Sequence, residues 1–300
     1  MRSPTYGIAL KLFATLTFSA MYVAIRLAGP VPVGEVVFFR AFFALVPLFG
    51  LSMFTVGARA VFETKRLRVH ILRSVTGVTS MFLNFAALKM LPLADLTGFS
   101  FVMPIFAVVL AALLLREQVG PWRGTAVVIG FGGVLLMINP HGGPAAVLVH
   151  GLSPGAGLAL LGALLSAFVV IFIRQMSTTE RSETIVFYFM LITALAGALT
   201  MIWWRAPLSA DMAAWLVLAG LLGGIGQICM TYSYRYAEPS LLAPFDYVAM
   251  VWAASFGFAV FGEVPERLVL VGAGIVVVSG LFIVWRERKL HKVTPEPVPP

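Results

Sequence analysis

The feature that most constrains this chain is the return, along almost its whole length, of apolar runs about 20 residues long, the length of a helix that crosses a bilayer. Ten windows qualify, at roughly 6–25, 34–56, 69–90, 94–115, 121–138, 154–174, 184–204, 212–235, 239–262 and 266–285. Composition removes the soluble alternative. Hydrophobic residues make up 60% of the chain and charged residues 11%, whereas a soluble domain carries roughly 25% charged residues. So few charges cannot cover a globular surface, and the solvent for this chain is lipid. The runs continue far beyond the first, which excludes a signal peptide ahead of a soluble domain. Ten helices leave only short loops and no room for a separate soluble domain. The closing "RERKLHKVTPEPVPP" is charged and then proline-rich, and reads as a disordered tail from 287 to 300.

Lysine and arginine avoid translocated loops, so their positions set the orientation. With the N-terminus inside, 16 of the 21 basic residues fall on the cytoplasmic side, among them Arg2, Lys11, Arg73 and Arg123. The outer side receives four, Arg26, Lys89, Arg205 and Arg267, and Arg40 lies within a span. This bias predicts an even number of spans with both termini cytoplasmic. It also accounts for the net charge of +8 without a nucleic-acid partner. The single cysteine, Cys229, excludes a disulfide framework and any multi-cysteine metal site.

The chain echoes itself. "ADLTGFSFV" (94–102) aligns with "SLLAPFDYV" (240–248) at an offset of 146, pairing Phe99 with Phe245, Phe101 with Tyr247 and Gly98 with Pro244. The same offset pairs Glu117 with Glu263, and "GEVVFFR" (34–40) aligns with "SETIVFY" (182–188) at 148. The echoes predict two halves, 1–142 and 143–286, each with five spans. An odd count starts the second half on the opposite side of the membrane, so the repeats are inverted. Inverted repeats are a common build of secondary transporters, with substrate held near the midplane between the halves. The expected fold is therefore an all-α integral membrane protein of ten transmembrane helices in two inverted five-helix repeats, N-in and C-in.

One polar residue stands out against this background. Asp246 lies about eight residues into span 9, roughly 12 Å along the helix, and is too short to reach the interface. Its repeat partner is Ser100, so the carboxylate breaks the symmetry. The functional reading is cargo binding or proton coupling; the plainer one is a salt-bridge partner, Arg40 among the candidates. Tyr247 follows it, as a cavity residue or a core anchor. Arg40, about six residues into span 2, is either an anchor for an anionic or carbonyl-bearing cargo or a fixed partner of Glu35 and backbone carbonyls. Asn84 and Gln227 are uncharged polar groups at mid-span that contact substrate or merely join helices. Tyr22, Ser100, Tyr188 and Trp252 can offer aromatic or hydroxyl faces to a flat cargo. Gly98 and Pro244 can each loosen a helix as hinges. Lys11 is expected to snorkel to the cytoplasmic interface; Glu117 and Glu263 are expected to satisfy helix ends. Gly120/Gly124 and Gly220/Gly224 have the GxxxG spacing that permits close helix approach.

Ten spans in two five-helix halves, "FFR" early in span 2, and "REQVGPWRGTAVVIGFGGVLLM" echoed by "GEVPERLVLVGAGIVVVSGLFIV" resemble the drug/metabolite transporter superfamily, specifically its EamA-type family, over residues 6 to 286. "PVGEVVFFRAFFALVPL", "HILRSVTGVTSMFLNFAALKMLPLAD" and "LAPFDYVAMVWA" are most similar to bacterial importers of riboflavin or S-adenosylmethionine. The resemblance implies a cavity lined by spans 1–4 and 6–9, with spans 5 and 10 peripheral. It implies an inner-membrane secondary transporter that moves a small organic metabolite by alternating access. Riboflavin import leads, and S-adenosylmethionine uptake or export of amino acids or drugs are the alternatives.

Other classes fit less well. His70, His141, His150 and His291 fall at span ends, in loops or in the tail, and no H-E-x-x-H or P-loop is present, so neither an enzyme nor direct ATP binding is expected. A channel needs symmetric filter elements, which one unmatched carboxylate does not provide. A lipid scramblase or membrane scaffold stays open as an alternative of another class, although a scaffold has no reason to keep polar groups at mid-membrane. No cofactor or metal is expected. The expected partners are the small-molecule substrate and the lipid bilayer, with a homodimer left open.

Overall fold

A computed structural model describes residues 4–55, 57, 61–103, 105–106, 109–110, 125, 128–130, 132–133, 136, 153–176, 179–236, 242 and 245–291. Among these residues the secondary structure is helical, without strands. The helices are α1 (Pro4–Leu27), α2 (Val33–Thr55), α3 (Leu67–Leu88), α4 (Leu93–Ser100), α5 (Pro154–Met176), α6 (Ser182–Met201), α7 (Ala210–Tyr236), α8 (Val248–Phe261) and α9 (Arg267–His291). Six of them, α1, α2, α3, α5, α6 and α7, are long and apolar enough to cross a membrane, and α8 and the first part of α9 are shorter apolar helices. Most of span 5, Glu117, the boundary between the predicted halves, and the pair Gly120/Gly124 lie outside the described residues. The last helix continues to His291, into the segment read from sequence as tail.

Local chemistry sets the helix ends. Gly29, at φ 81°, turns the chain after α1, and Pro30 and Pro32 follow; the Pro32 carbonyl accepts the amides of Glu35 and Val36 as α2 begins. Ser153 caps α5, its hydroxyl accepting the Ala156 amide at 3.3 Å, and Pro154 takes the first helical position, where no amide proton is needed. Ser209 does the same for α7 through the Met212 amide at 3.2 Å.

The helices pack in a pattern that repeats. α1 lies against α7 as α5 lies against α3; α2 meets α7 as α6 meets α3; α1 meets α8 as α5 meets α4. The remaining principal pairs, α2 with α6 and α4 with α8, match elements at like places in the two stretches. One apolar core runs between α1, α3, α4, α5, α7, α8 and α9 around Met21, Phe85, Phe99 and Val102. A second joins α2, α3 and α6 around Ala41, Val78, Phe187 and Met190. Large apolar side chains on the outer surface, such as Phe54, Val128 and Val278, are exposed in a way only lipid can cover. Trp203 and Trp204, exposed just past α6, sit where aromatic residues favour the membrane–water boundary.

Candidate substrate site

The two segments around Gly98 and Asp246 are both interrupted. α4 stops at Ser100, and Phe101 and Val102 form a turn before helix resumes; there the amides of Phe101 and Val102 bond back three residues, to Gly98 and Phe99. Pro104, just beyond, has no amide proton to return to the helical ladder. In the other segment Phe245 and Asp246 are helical, Tyr247 is a turn, and α8 starts at Val248. The interruptions thus fall at Phe101 and Tyr247, which are partners at the 146-residue offset, and their rings touch edge to face with centroids 5.1 Å apart. Interrupted helices are tolerated at membrane depth where neighbouring protein or a water-filled cavity satisfies the freed backbone. Gly98 is buried inside α4, three residues ahead of the break; Pro244 lies outside the described residues.

Asp246 pairs with Lys11, not Arg40: Nζ of Lys11 stands 2.6 Å from Oδ1. The pair is lopsided, because the lysine side chain is 1% exposed and the aspartate side chain 46%. Lys11 therefore does not snorkel. Its ammonium is buried and is compensated by a carboxylate whose other side remains accessible, the arrangement expected beside a polar cavity.

The remaining candidates separate into groups. Arg40, 5% exposed, donates from Nη1 to the thioether of Met190 at 3.3 Å, and its Nε has no acceptor. Tyr22, half-buried against Phe85, lies within electrostatic reach of it. Glu35 does not meet Arg40; its Oε1 accepts the Ala206 amide at 2.7 Å. Trp252 is half-buried and its indole N–H has no acceptor. Gln227 sits half-buried on α7. Asn84 is occupied by packing: its amide donates to the Ser80 carbonyl at 2.8 Å, beside Ser80 bonds to Gly162 and Ser166 that join α3 to α5. Ser100 bonds back to the Thr97 carbonyl at 2.6 Å. Tyr188 donates to the Phe62 carbonyl at 2.9 Å and its ring lies tilted against that of His70, centroids 4.8 Å apart; His70 in turn reaches Glu180, all at the other end of α6 from Trp203. Asn84, Ser100 and Tyr188 thus lie apart from the Asp246 pair in their contacts.

At the opposite end of α1 from Lys11, Glu263 performs two tasks. Its Oε1 pairs with Arg26 at 2.6 Å, and its Oε2 accepts the Leu93 amide at 3.0 Å, satisfying the start of α4. Nearby, Lys89 donates to the Val31 carbonyl, and burial pushes its ammonium below the usual lysine range against the pull of Glu35.

Sequence reasoning missed Arg73. The charge pattern places it on the cytoplasmic side, yet it is 4% exposed on α3, its guanidinium 3.9 Å over the Phe189 ring. The signal was an arginine four residues inside an apolar window without an acid one helical turn away.

The model of the EamA-like transporter family matches this chain twice, over residues 5–139 and 153–285. Among curated proteins, a riboflavin transporter of Vibrio cholerae is 29% identical over 96% of this chain and 93% of its own. An S-adenosylmethionine uptake transporter of Rickettsia prowazekii is 28% identical over 85% and 84%. A pseudopaline exporter of Pseudomonas aeruginosa is 27% identical over 94% and 97%. One solved structure, described only as a protein, shares the fold with a TM-score of 0.68 at 19% identity, covering 97% of this chain and 99% of that one.

Proposed function

The chain belongs to the EamA-like transporter family, and on that footing we propose that it is a bacterial inner-membrane secondary transporter that moves a small organic metabolite of the vitamin or nucleoside class by alternating access. Its family and the names of its relatives are those of transporters and not of enzymes.

The observation that carries this reading is the meeting of two interrupted membrane segments at Phe101 and Tyr247. A binding site between repeats is built from discontinuous helices of this kind, because their free backbone ends can face cargo. The exchange of helix contacts between residues 4–103 and 153–261 supports two inverted five-helix halves, as do the two separate family matches. Asp246 supports a site at this junction, since its carboxylate stays half accessible while the partner that neutralises it is buried. Cargo would sit beside Asp246 and Tyr247, with Tyr22, Gln227 and Trp252 around it. Gly98 and Pro244 would be the flexible points.

Riboflavin import is the leading cargo reading, S-adenosylmethionine uptake the second, each supported by relatives of similar identity. Export is a specific rival, because the pseudopaline exporter matches nearly the full chain. The test is a panel uptake assay in cells auxotrophic for riboflavin or S-adenosylmethionine. Growth rescue at low external supply, with saturable uptake, is expected. Outward movement of a preloaded solute with no rescue would reverse the direction, and neither rescue nor efflux would sink the transport reading.

A further inference from the structure

Among the described residues, buried Lys11 pairs with Asp246 and half-buried Arg26 with Glu263. Arg40 and Arg73 have no such partner. Both are at least 95% buried, each is within electrostatic reach of the other, and among the described residues neither forms an ion pair with a carboxylate. What they touch is soft. Arg40 has the sulfur of Met190 and Arg73 the face of Phe189, consecutive residues on α6. Nε of Arg40 and both Nε and Nη1 of Arg73 are buried with no acceptor.

Two uncompensated like charges at membrane depth are expensive, and the cost falls only when an anion arrives. Helix packing alone would be served better by leucine or methionine at either position. A glycine also lets the guanidinium fit where it lies. A side chain at Gly223 of α7 would begin 3.3 Å from Arg40 Nε and 2.9 Å from Met21 Sδ, so the glycine preserves the seat of the guanidinium. A planar fork of N–H donors matches an oxyanion better than any uncharged group.

We infer that Arg40 and Arg73 form a binding site for an oxyanion, the carboxylate or phosphate of the cargo, between α2, α3 and α6. The inference rests on the transport reading for access, because a site this buried must open when the halves rearrange. It narrows the cargo to a metabolite bearing an acidic group. It reverses the order of the two cargo readings given above: S-adenosylmethionine, which carries a carboxylate, fits this site, and riboflavin, which carries none, does not. The same chemistry is offered by a free inorganic anion resident in the site, and the experiment separates the two sources.

Full-length protein in lipid nanodiscs is melted by intrinsic tryptophan fluorescence in low-salt zwitterionic buffer, with sodium phosphate, sodium chloride, S-adenosylmethionine or riboflavin titrated in. An oxyanion is expected to raise the melting temperature saturably. Arg40→Gln and Arg73→Gln should each weaken its apparent affinity by about tenfold or more, the loss expected for one charged hydrogen-bonding partner. Without ligand both variants should melt no lower than the parent, since an unpaired charge has gone. Stabilisation by S-adenosylmethionine but not by phosphate or chloride assigns the anion to cargo; stabilisation by the inorganic ions alone assigns it to a resident counter-ion. Arg40→Lys and Arg73→Lys, which keep charge and lose the fork, should bind with intermediate affinity. No anion-dependent shift, or ligand-free variants that melt well below the parent, would overturn the site. Saturable uptake of a neutral metabolite with no anion effect would overturn this inference and leave transport standing. Anion binding that is lost in the variants, with no solute moved, would do the reverse.

Discussion

Lys11 cannot hold a buried ammonium without a counter-charge, and Asp246 supplies it from the far end of the chain at 2.6 Å. That dependence separates two roles of the aspartate. Asp246→Asn removes the charge, keeps the shape and leaves Lys11 uncompensated, so it should both lower the melting temperature and reduce uptake by about tenfold or more. Adding Lys11→Met removes the orphaned ammonium. The double variant should regain the parental melting temperature and still fail to transport. Recovery of transport along with stability would show that the carboxylate serves only the ion pair. The aspartate itself was legible in the sequence because a carboxylate in an apolar run is costly and therefore informative. Its partner was not: Lys11 and Arg73 both sit near span ends, where sequence cannot tell a snorkelling cation from one turned inward. Tertiary packing decides that, and nothing in the local pattern reports it.

Between elements, close approach is set by glycines. A Cβ at Gly220 would lie 2.5 Å from Phe43 Cβ and 2.6 Å from the Phe39 carbonyl oxygen, and one at Gly224 would lie 2.5 Å from Pro47 Cγ and 2.9 Å from the Ala44 Cα. Several of those atoms are backbone or lie close to it, so α7 and α2 must separate to admit even a methyl group. Gly220→Ala and Gly224→Ala should each cost about 1–3 kcal/mol, in the range of overpacking, and lower the melting temperature accordingly. Gly50→Ala on α2 has nothing within 4 Å and should be neutral or slightly stabilising. Equal losses at all three would remove packing as the cause. The GxxxG spacing was visible in the sequence, but the partner helix was not. The two interruptions were partly legible as well. Gly98 and Pro244 marked the right segments, yet the turn comes just past α4 at Phe101, three residues beyond Gly98. Phe101→Ala and Tyr247→Ala should be non-additive in melting temperature, with a coupling of about 0.5–1.5 kcal/mol for an edge-to-face pair. Strict additivity would mean that the rings touch without mutual support.

The molecule as a whole presents an arrangement in which the order of charges and the order of contacts point the same way. Repeats at a nearly constant offset suggested two halves before any contact was known, and α1 on α7 with α5 on α3 is the pairing that an exchange of halves requires. Which helices would meet was beyond the sequence, because apolar runs carry the same hydropathy whatever they face. Inversion adds a demand on orientation: the segments joining α2 to α3 and α6 to α7 must lie on opposite sides of the membrane. Glu63 is exposed in the first, beside Lys65, Arg66 and Arg68, and Ser209 is exposed in the second. By the excess of basic residues, the first is expected inside. In a Cys229→Ser background, which removes the only native thiol, Ser209→Cys and Ala145→Cys should react with a membrane-impermeant maleimide in intact cells. Glu63→Cys should react only after the membrane is broken. Labelling of position 63 from outside, with 209 protected, would invert the whole molecule. Labelling of both from one side would be worse for the proposal, because two five-helix halves cannot then be antiparallel, and the meeting of Phe101 with Tyr247 would need another origin.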